Sequence, residues 1–325
     1  MKVIMINRIL AVVVTYNRGY MVKSCIETLL NQTVPCDVLV VDNASSDDTR
    51  MILSNISEER VYHMHLQRNT GGAGGFNFGM KHAVEKGYEY IWLMDDDTMP
   101  RKNALEELLK ADSILAGQYG FLSSLALWTD GSICRINRQK FTNALHESIE
   151  LLQHNILPIQ QATFVSCFMK ADVVRRVGLP IQEFFIWGDD IEYTRRIAVR
   201  KGMPSYIVGS SVVVHATSSN YGSNIALDEP DRMERYKYAF RNENYLYRQE
   251  GLRSFAYYTA KCGANIVRVL LRAQDHRLRR CGVIIHQYFA GLRFNPDVEF
   301  VTPTEDRSPF PYSGQRLHRK RSRFQ

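Results

Sequence analysis

Three aspartates stand in a row, Asp95, Asp96 and Asp97, directly after the apolar run "YIWLM" at residues 90–94. Adjacent like charges repel and work against a continued strand, so holding them at the end of a buried element calls for a counter-charge. Carboxylate oxygens are hard ligands suited to Mg²⁺ or Mn²⁺, ions that commonly bridge to phosphates. Side chains alternate along an extended chain, which makes Asp95 and Asp97 the better pair of ligands. A reading without metal also stands: the acids precede "PRKNALEELLKA" at 100–111, where they would satisfy free amides at a helix N-terminus.

A second acidic cluster lies in "FFIWGDDIEYTRR" at 184–196. Phe184, Phe185, Ile186 and Trp187 surround Asp189 and Asp190 with apolar bulk. Partial desolvation raises a carboxylate's pKa and makes it a better general base near neutrality. The structural alternative makes Asp189 and Asp190 the start of a helix, with Glu192, Arg195 and Arg196 as its solvated face. His215 closes the strand-like "SSVVVHA" and gains interest only from the company it keeps. The stretch "NTGGAGGFNFG" at 69–79 holds a G-x-G-x-x-G-like match without the GK[ST] ending of a phosphate loop. Its glycines permit close approach to a ligand or to a neighbouring backbone. Arg68, just before it, is a candidate partner for a diphosphate.

These residues need elements to position them. In the first half, apolar β-rich runs at 8–17, 36–43, 61–67 and 90–95 alternate with helical patterns at 21–32, 50–57 and 80–86, and the glycine stretch reads as a loop. Such alternation implies an α/β fold with a mostly parallel sheet covered on both faces. Ligands then sit beyond the carboxyl ends of the strands, where Thr15–Asn17, Asp42–Asn43, Arg68–Asn69 and Asp95–Asp97 all fall. Beyond about residue 230 the pattern turns helical and rich in Tyr and Arg; from about 295 it is rich in Pro, Ser and Arg and predicts irregular structure.

The bulk properties agree with a globular protein: 325 residues, 45% hydrophobic and 23% charged. No apolar run reaches the ~18–20 residues of a membrane-spanning helix. The apolar N-terminus is broken by Asn7 and Arg8 and reads as a first strand, not a signal peptide. Six scattered cysteines without a C-x-x-C pair indicate neither a disulfide framework nor a zinc knuckle, and a reducing cytoplasm is the simplest compartment. Charge is uneven. From Gly251 onward 14 Lys/Arg face 5 Asp/Glu, a net +9, so with +7 overall the first 250 residues carry −2. A basic C-terminal part suits an anionic surface; no nucleic-acid-binding motif accompanies it.

Taken in order, "VVVTYNR", "VVDNASSDDT", "NTGGAGGFNFGM", "WLMDDDTMP", "FFIWGDDIEYTRR" and "VVVHATSS" resemble the inverting family 2 glycosyltransferases with a GT-A (Rossmann-like) fold, over roughly residues 8–220. Within that family the pattern is most similar to bacterial galactofuranosyltransferases and next to rhamnosyltransferases. The resemblance implies a donor site of Thr15, Asn17, Asp42, Arg68, Gly71, Gly72, Asp95 and Asp96. It implies Mn²⁺ or Mg²⁺ on Asp95, Asp97 and His215, Asp190 as catalytic base, and Trp187 and Asp189 at the acceptor. Many relatives have Glu before the base, whereas Asp189 stands here. The expected donor is UDP-galactofuranose and the expected acceptor a glycan or lipid-linked glycan; dTDP-rhamnose transfer and a non-catalytic nucleotide-sugar or glycan binder are the alternatives. The expected organisation is a catalytic domain at 1–230, a basic amphipathic helical region at 231–295 and an irregular basic tail at 296–325. The helical region suits either the inner face of the cell membrane or a hairpin packed on the catalytic domain with its arginines in water.

Overall fold

The computed structural model describes residues 8–137, 139–142 and 149–301; residues 1–7 and most of the 296–325 tail lie outside them. In chain order the elements are β1 (Ile9–Thr15), α1 (Gly19–Leu30), β2 (Asp37–Asp42), α2 (Thr49–Ser54), β3 (Val61–His65), α3 (Gly71–Glu85), β4 (Tyr90–Asp95), β5 (Thr98–Pro100), α4 (Ala104–Ile114), β6 (Leu122–Trp128), β7 (Lys140–Phe141), α5 (Ile149–Leu152), β8 (Ile156–Gln161), β9 (Cys167–Lys170), α6 (Ala171–Val177), α7 (Asp189–Arg195), β10 (Tyr206–His215), α8 (Met233–Gln249), α9 (Leu252–Arg272) and α10 (Arg277–Arg293).

One ten-stranded sheet runs β3-β2-β1-β4-β9-β6-β10-β8-β7, with β5 paired to β10 off this path. Strands β1 to β4 are mutually parallel. β9 runs antiparallel to both β4 and β6, and β6 runs parallel to β10. Two reversals restore direction, so β6 and β10 point the same way as β4, and His215 ends up on the same sheet edge as Asp95.

Alternation along a strand splits its residues between two cores. From β1, Leu10, Val12 and Val14 enter one apolar cluster with α3 and α6, while Ile9, Ala11 and Val13 enter the other with α1 and α4. Both faces are covered, which is why these strands read as unbroken apolar runs.

The glycine stretch departs from expectation. The sequence predicts a loop over 69–79, but α3 begins at Gly71 and runs through it. Glycine disfavours helix by about 1 kcal/mol per residue relative to alanine, yet here tertiary packing overrides propensity. A Cβ on Gly75 would lie 2.5 Å from Val14 Cγ1, and one on Gly79 would lie 2.3 Å from Val12 Cγ1. The bare helix face lets α3 press directly onto β1.

The 3₁₀ turn Pro230–Arg232 leads into α8, and α8, α9 and α10 share an apolar cluster that includes Tyr236, Phe240, Tyr258 and Ile284. The chain beyond α10 returns to the catalytic part without regular structure. Its Glu299 carbonyl accepts from Leu179 N at 2.8 Å, and its Glu299 carboxylate pairs with Lys81 at 2.7 Å.

Gly79→Ala tests the close approach. Alanine is the better helix former, yet the methyl must displace the buried Val12, so the variant is expected to lose about 1–3 kcal/mol in urea denaturation. Unchanged or raised stability would contradict it.

Candidate active site

The short strand β5 does most of the positioning. It pairs antiparallel with the end of β10, placing His215 opposite Thr98, and Ala216 N donates to the Asp97 carbonyl at 2.8 Å. His215 Nε2 consequently lies 3.0 Å from Asp97 Oδ1, and its Nδ1–H donates to Asn137 Oδ1 at 2.6 Å. A ring held through Nδ1 by a side-chain oxygen turns Nε2 toward the acids, the arrangement common behind a ligating histidine. Asp95, Asp97 and His215 each offer a donor atom, all within 4.8 Å of one another. Two carboxylate oxygens and one imidazole nitrogen form a donor set that fits Mn²⁺ or Mg²⁺. The acids do not cap a helix there, because β5 intervenes and α4 starts only at Ala104 with Asn103 before it.

The electrostatics show what this gathering costs. Burial and the neighbouring Asp97 push Asp95 up to about 7, against the pull of His215. Burial also raises Asp96 to about 6, although Arg18 pulls it down. For Asp97 burial again acts upward, but the hydrogen bonds and charges of His215 and Arg18 together outweigh it and hold the group below the usual range. The Arg18 guanidinium reaches Asp96 at 3.2 Å and Asp97 at 2.7 Å, and Thr15 Oγ1 donates to Asp96 Oδ2 at 2.7 Å.

The second acidic cluster opens α7, so Asp189 and Asp190 do begin a helix. The rest of the structural alternative fails. Glu192, Arg195 and Arg196 are buried: Glu192 pairs with Arg196, and Arg195 binds Glu250 through two 2.6 Å contacts. Solvation was the wrong inference because each charge finds a partner within the fold.

Ahead of Asp189 the backbone is unusual. Phe185, Trp187 and Gly188 all have positive φ, at 62°, 64° and 88°, a conformation that costs non-glycine residues on the order of 1–3 kcal/mol each. Two neighbours hold it. Gly71, itself at φ 71°, lies so close that a Cβ would sit 1.9 Å from the Phe185 carbonyl oxygen, which accepts from Ala73 N at 3.2 Å. On the other side, the fully buried Asn242 of α8 donates through Nδ2 to the carbonyls of Phe184, Ile186 and Trp187 at 2.9, 3.3 and 2.8 Å. Removal from bulk water raises Asp190 to about 6; burial and then the adjacent Asp190 charge push Asp189 well above the carboxylate range. Asp190 Oδ1 accepts from Ile191 N at 2.7 Å, leaving Oδ2 as the freer oxygen.

Both clusters line one crevice of about 880 Å³. Of the predicted site residues it brings together Gly72, Asp95, Asp96, Asp97, Trp187, Asp189, Asp190 and His215. Thr15 sits beneath, bonded to Asp96. Asn17 bridges to the loop after β2 through Ser45 and Ser46. Asp42 is buried and holds His65 Nδ1 at 2.6 Å and Ser45 N at 2.9 Å. Gly71 supports the Phe185 turn, and Arg68 lines two smaller cavities with Thr70 and Gln182. Arg18, Asn137 and the α9 residues Lys261 and Arg268, which also line the crevice, escape a reading of the sequence, as does Asn242 behind it. Arg18 had a weak signal, three residues past Thr15 at a strand end; Asn242 had none, since "FRNEN" reads as a solvated helix face.

Asn242→Ala removes the side-chain clamp from three carbonyls and is expected to cost about 1–3 kcal/mol in chemical denaturation. Asn242→Asp should cost at least as much, because it turns an acceptor toward those oxygens; a neutral Asn242→Asp would contradict the clamp.

Residues 10–113 match the model of the family described as glycosyl transferase family 2. Galactofuranosyltransferase GlfT1 of Mycolicibacterium smegmatis is 27% identical over 263 residues, covering 75% of this chain and 84% of the relative. The dTDP-rhamnosyl transferase RfbF of Shigella flexneri is 29% identical over 253 residues, covering 75% and 81%. Among solved structures, GalNAc-T7 with UDP, GalNAc and Mn²⁺ superposes with a TM-score of 0.53 at 12% identity, over 79% of this chain and 55% of that one; at that identity the likeness concerns the fold. The domain match over residues 10–113, the relatives and the sheet agree in supporting a family 2 glycosyltransferase with a GT-A fold.

Proposed function

We propose that the enzyme transfers galactofuranose from UDP-galactofuranose, with inversion and with the help of a divalent cation, to a glycan carried at the membrane. The observation that carries this reading is the meeting of two acidic clusters across one crevice, Asp95–Asp97 on one side and Asp189–Asp190 on the other. The galactofuranosyltransferase relatives support the donor. The rhamnosyltransferase relative keeps dTDP-rhamnose as the second reading.

Each residue then has a task. Thr15, Asn17, Asp42 and Arg68 lie at the ends of β1, β2 and β3 and suit the nucleoside side of the donor, with Asp96 and Gly72 nearer the crevice. Asp95, Asp97 and His215 would hold Mn²⁺ or Mg²⁺, which would supply positive charge where a nucleoside diphosphate leaves. Trp187, packed edge-on against Tyr236 at 5.1 Å, and Asp189 shape the acceptor side. The acceptor hydroxyl oxygen forms a bond to the anomeric carbon as the bond from that carbon to the diphosphate oxygen breaks. Asp190 takes the hydroxyl proton. One displacement inverts the anomeric carbon, and a single base suffices. No described helix is long and apolar enough to cross a membrane. In this reading the enzyme works as a peripheral protein and meets its lipid-linked acceptor at the inner face of the membrane.

A panel of nucleotide sugars assayed with purified enzyme, Mn²⁺ or Mg²⁺ and lipid-glycan extract tests this directly: UDP-galactofuranose should be consumed, and consumption of no donor with either ion would end the proposal. Asp190→Asn should bind UDP normally and lose turnover by about 10²–10⁴-fold; a binder without catalysis would show no difference. With Asp190 near 6 and needed ionised, kcat/KM should be level above neutrality and fall as pH drops through about 6. A profile flat to pH 5 would assign the base elsewhere. Chelation should abolish transfer and Mn²⁺ restore it, and Asn137→Ala, which frees the His215 ring, should weaken Mn²⁺ binding about 10–100-fold by calorimetry.

A further inference from the structure

The α9–α10 hairpin presents a face that nothing described covers. Inside the three-helix layer, Tyr258, Cys262 and Val269 of α9 and Cys281 and Ile284 of α10 are buried. On the opposite side of α9, Val267, Leu270 and Leu271 are 55, 46 and 75% exposed; on α10, Leu278, Ile285 and Phe289 are 84, 46 and 57% exposed. The spacings of seven and four residues in α10 put its three on one stripe. The link between the two helices is only 273–276, so Leu270, Leu271 and Leu278 crowd the same tip. Exposed leucines gathered this way mark an interaction surface.

The charges around the tip say what occupies it. Arg268, Arg272, Arg277 and Arg279 flank these leucines and are exposed. Arg268 donates to Asn265 Oδ1 and Arg277 to the Ala273 carbonyl. Arg279 stands 3.9 Å from Glu234, and the other three form no ion pair among the described residues. A second copy docking about a two-fold axis would bring these arginines face to face, and protein interfaces exclude charge from their centres. An anionic bilayer meets both demands at once, taking the leucines between acyl chains and the guanidiniums at its headgroups.

We propose that the tip of the α9–α10 hairpin docks on an anionic lipid bilayer. The same helix faces the catalytic crevice with Lys261, Asn265 and Arg268, at helical spacing, so the bilayer lies beside the mouth of the crevice. The link to a lipid-linked acceptor rests on the proposed function; the docking itself does not.

The full chain is sedimented with vesicles of phosphatidylcholine alone and of phosphatidylcholine mixed with phosphatidylglycerol, and UDP binding in the presence of Mn²⁺ is measured in parallel by calorimetry. The expected result is pelleting with the anionic vesicles only. Leu271→Glu with Leu278→Glu should abolish it, and Arg272→Gln with Arg277→Gln should reduce partitioning about 25-fold, roughly fivefold per arginine. UDP affinity should be unchanged in every variant, none of which touches the crevice. Failure to pellet, or pelleting that the variants retain, overturns the docking. So does a concentration-dependent dimer that the leucine variants abolish in the absence of vesicle binding, which would hand the surface to a second copy. A chain that pellets as expected but binds no UDP would instead overturn the UDP-galactofuranose reading and leave the docking in place.

Discussion

The antiparallel pairing of Thr98–Pro100 with the end of β10 is the constraint on which the rest of the site depends. A three-residue strand cannot be stable alone; it exists because β10 runs on beyond its pairing with β8, which covers only Tyr206–Val208, and so offers the free side of Val213–His215. Once His215 stands opposite Thr98, the side chain of Asp97 has nowhere to go but toward the imidazole. Sheet order makes this possible, since the two reversals through β9 turn β10 back into the direction of β4. A different strand order would leave the histidine at the far edge of the sheet.

Gathering five aspartates along one crevice demands compensation, and it comes in two forms. On the β4 side positive charge is supplied, by Arg18 and by a His215 raised to about 10: burial acts against its charge, but the hydrogen bonds to Asp97 and Cys134 and the charges of Asp97 and Asp95 together outweigh it. On the α7 side no such cation pairs with the acids among the described residues, and burial instead favours protons on Asp189 and Asp190. The two solutions suit different chemistry. On one wall Asp97 stays ionised and cation-seeking, and on the other Asp190 exchanges its proton at about 6.

The C-terminal helices are part of this machinery as well as a wall of the crevice. Asn242 from α8 grips the left-handed turn ahead of Asp189, Glu250 binds Arg195 within α7, and Tyr236 packs on Trp187. The strain of residues 185–188 is therefore held from two directions, by α8 and by the glycine start of α3. This explains why the glycine run and the "FFIWGDD" motif, far apart along the chain, belong to one structural unit.

Much of this was legible in the chain. Buried parallel strands must be continuous apolar runs, so β1, β2 and β4 and their polar ends stand out, as do the acids at 95–97 and 189–190. The link between Asp95, Asp97 and His215 came from family resemblance, because nothing local ties a histidine to acids 118 residues away. Helix α3 was misread for a physical reason: propensity argues against glycine in a helix, and only the contact with Val12 and Val14 reverses that preference. Glu192, Arg195 and Arg196 looked solvated because their partners lie in other elements or a turn away. By itself, the sequence determined which side chains can ligate, carry charge or take a proton and where strands end, since these follow from side-chain chemistry and local periodicity. Which acid meets which cation, which asparagine holds which turn, and which leucines stay bare were decided only by the tertiary structure, because they depend on sheet order and helix packing between residues that no local pattern relates.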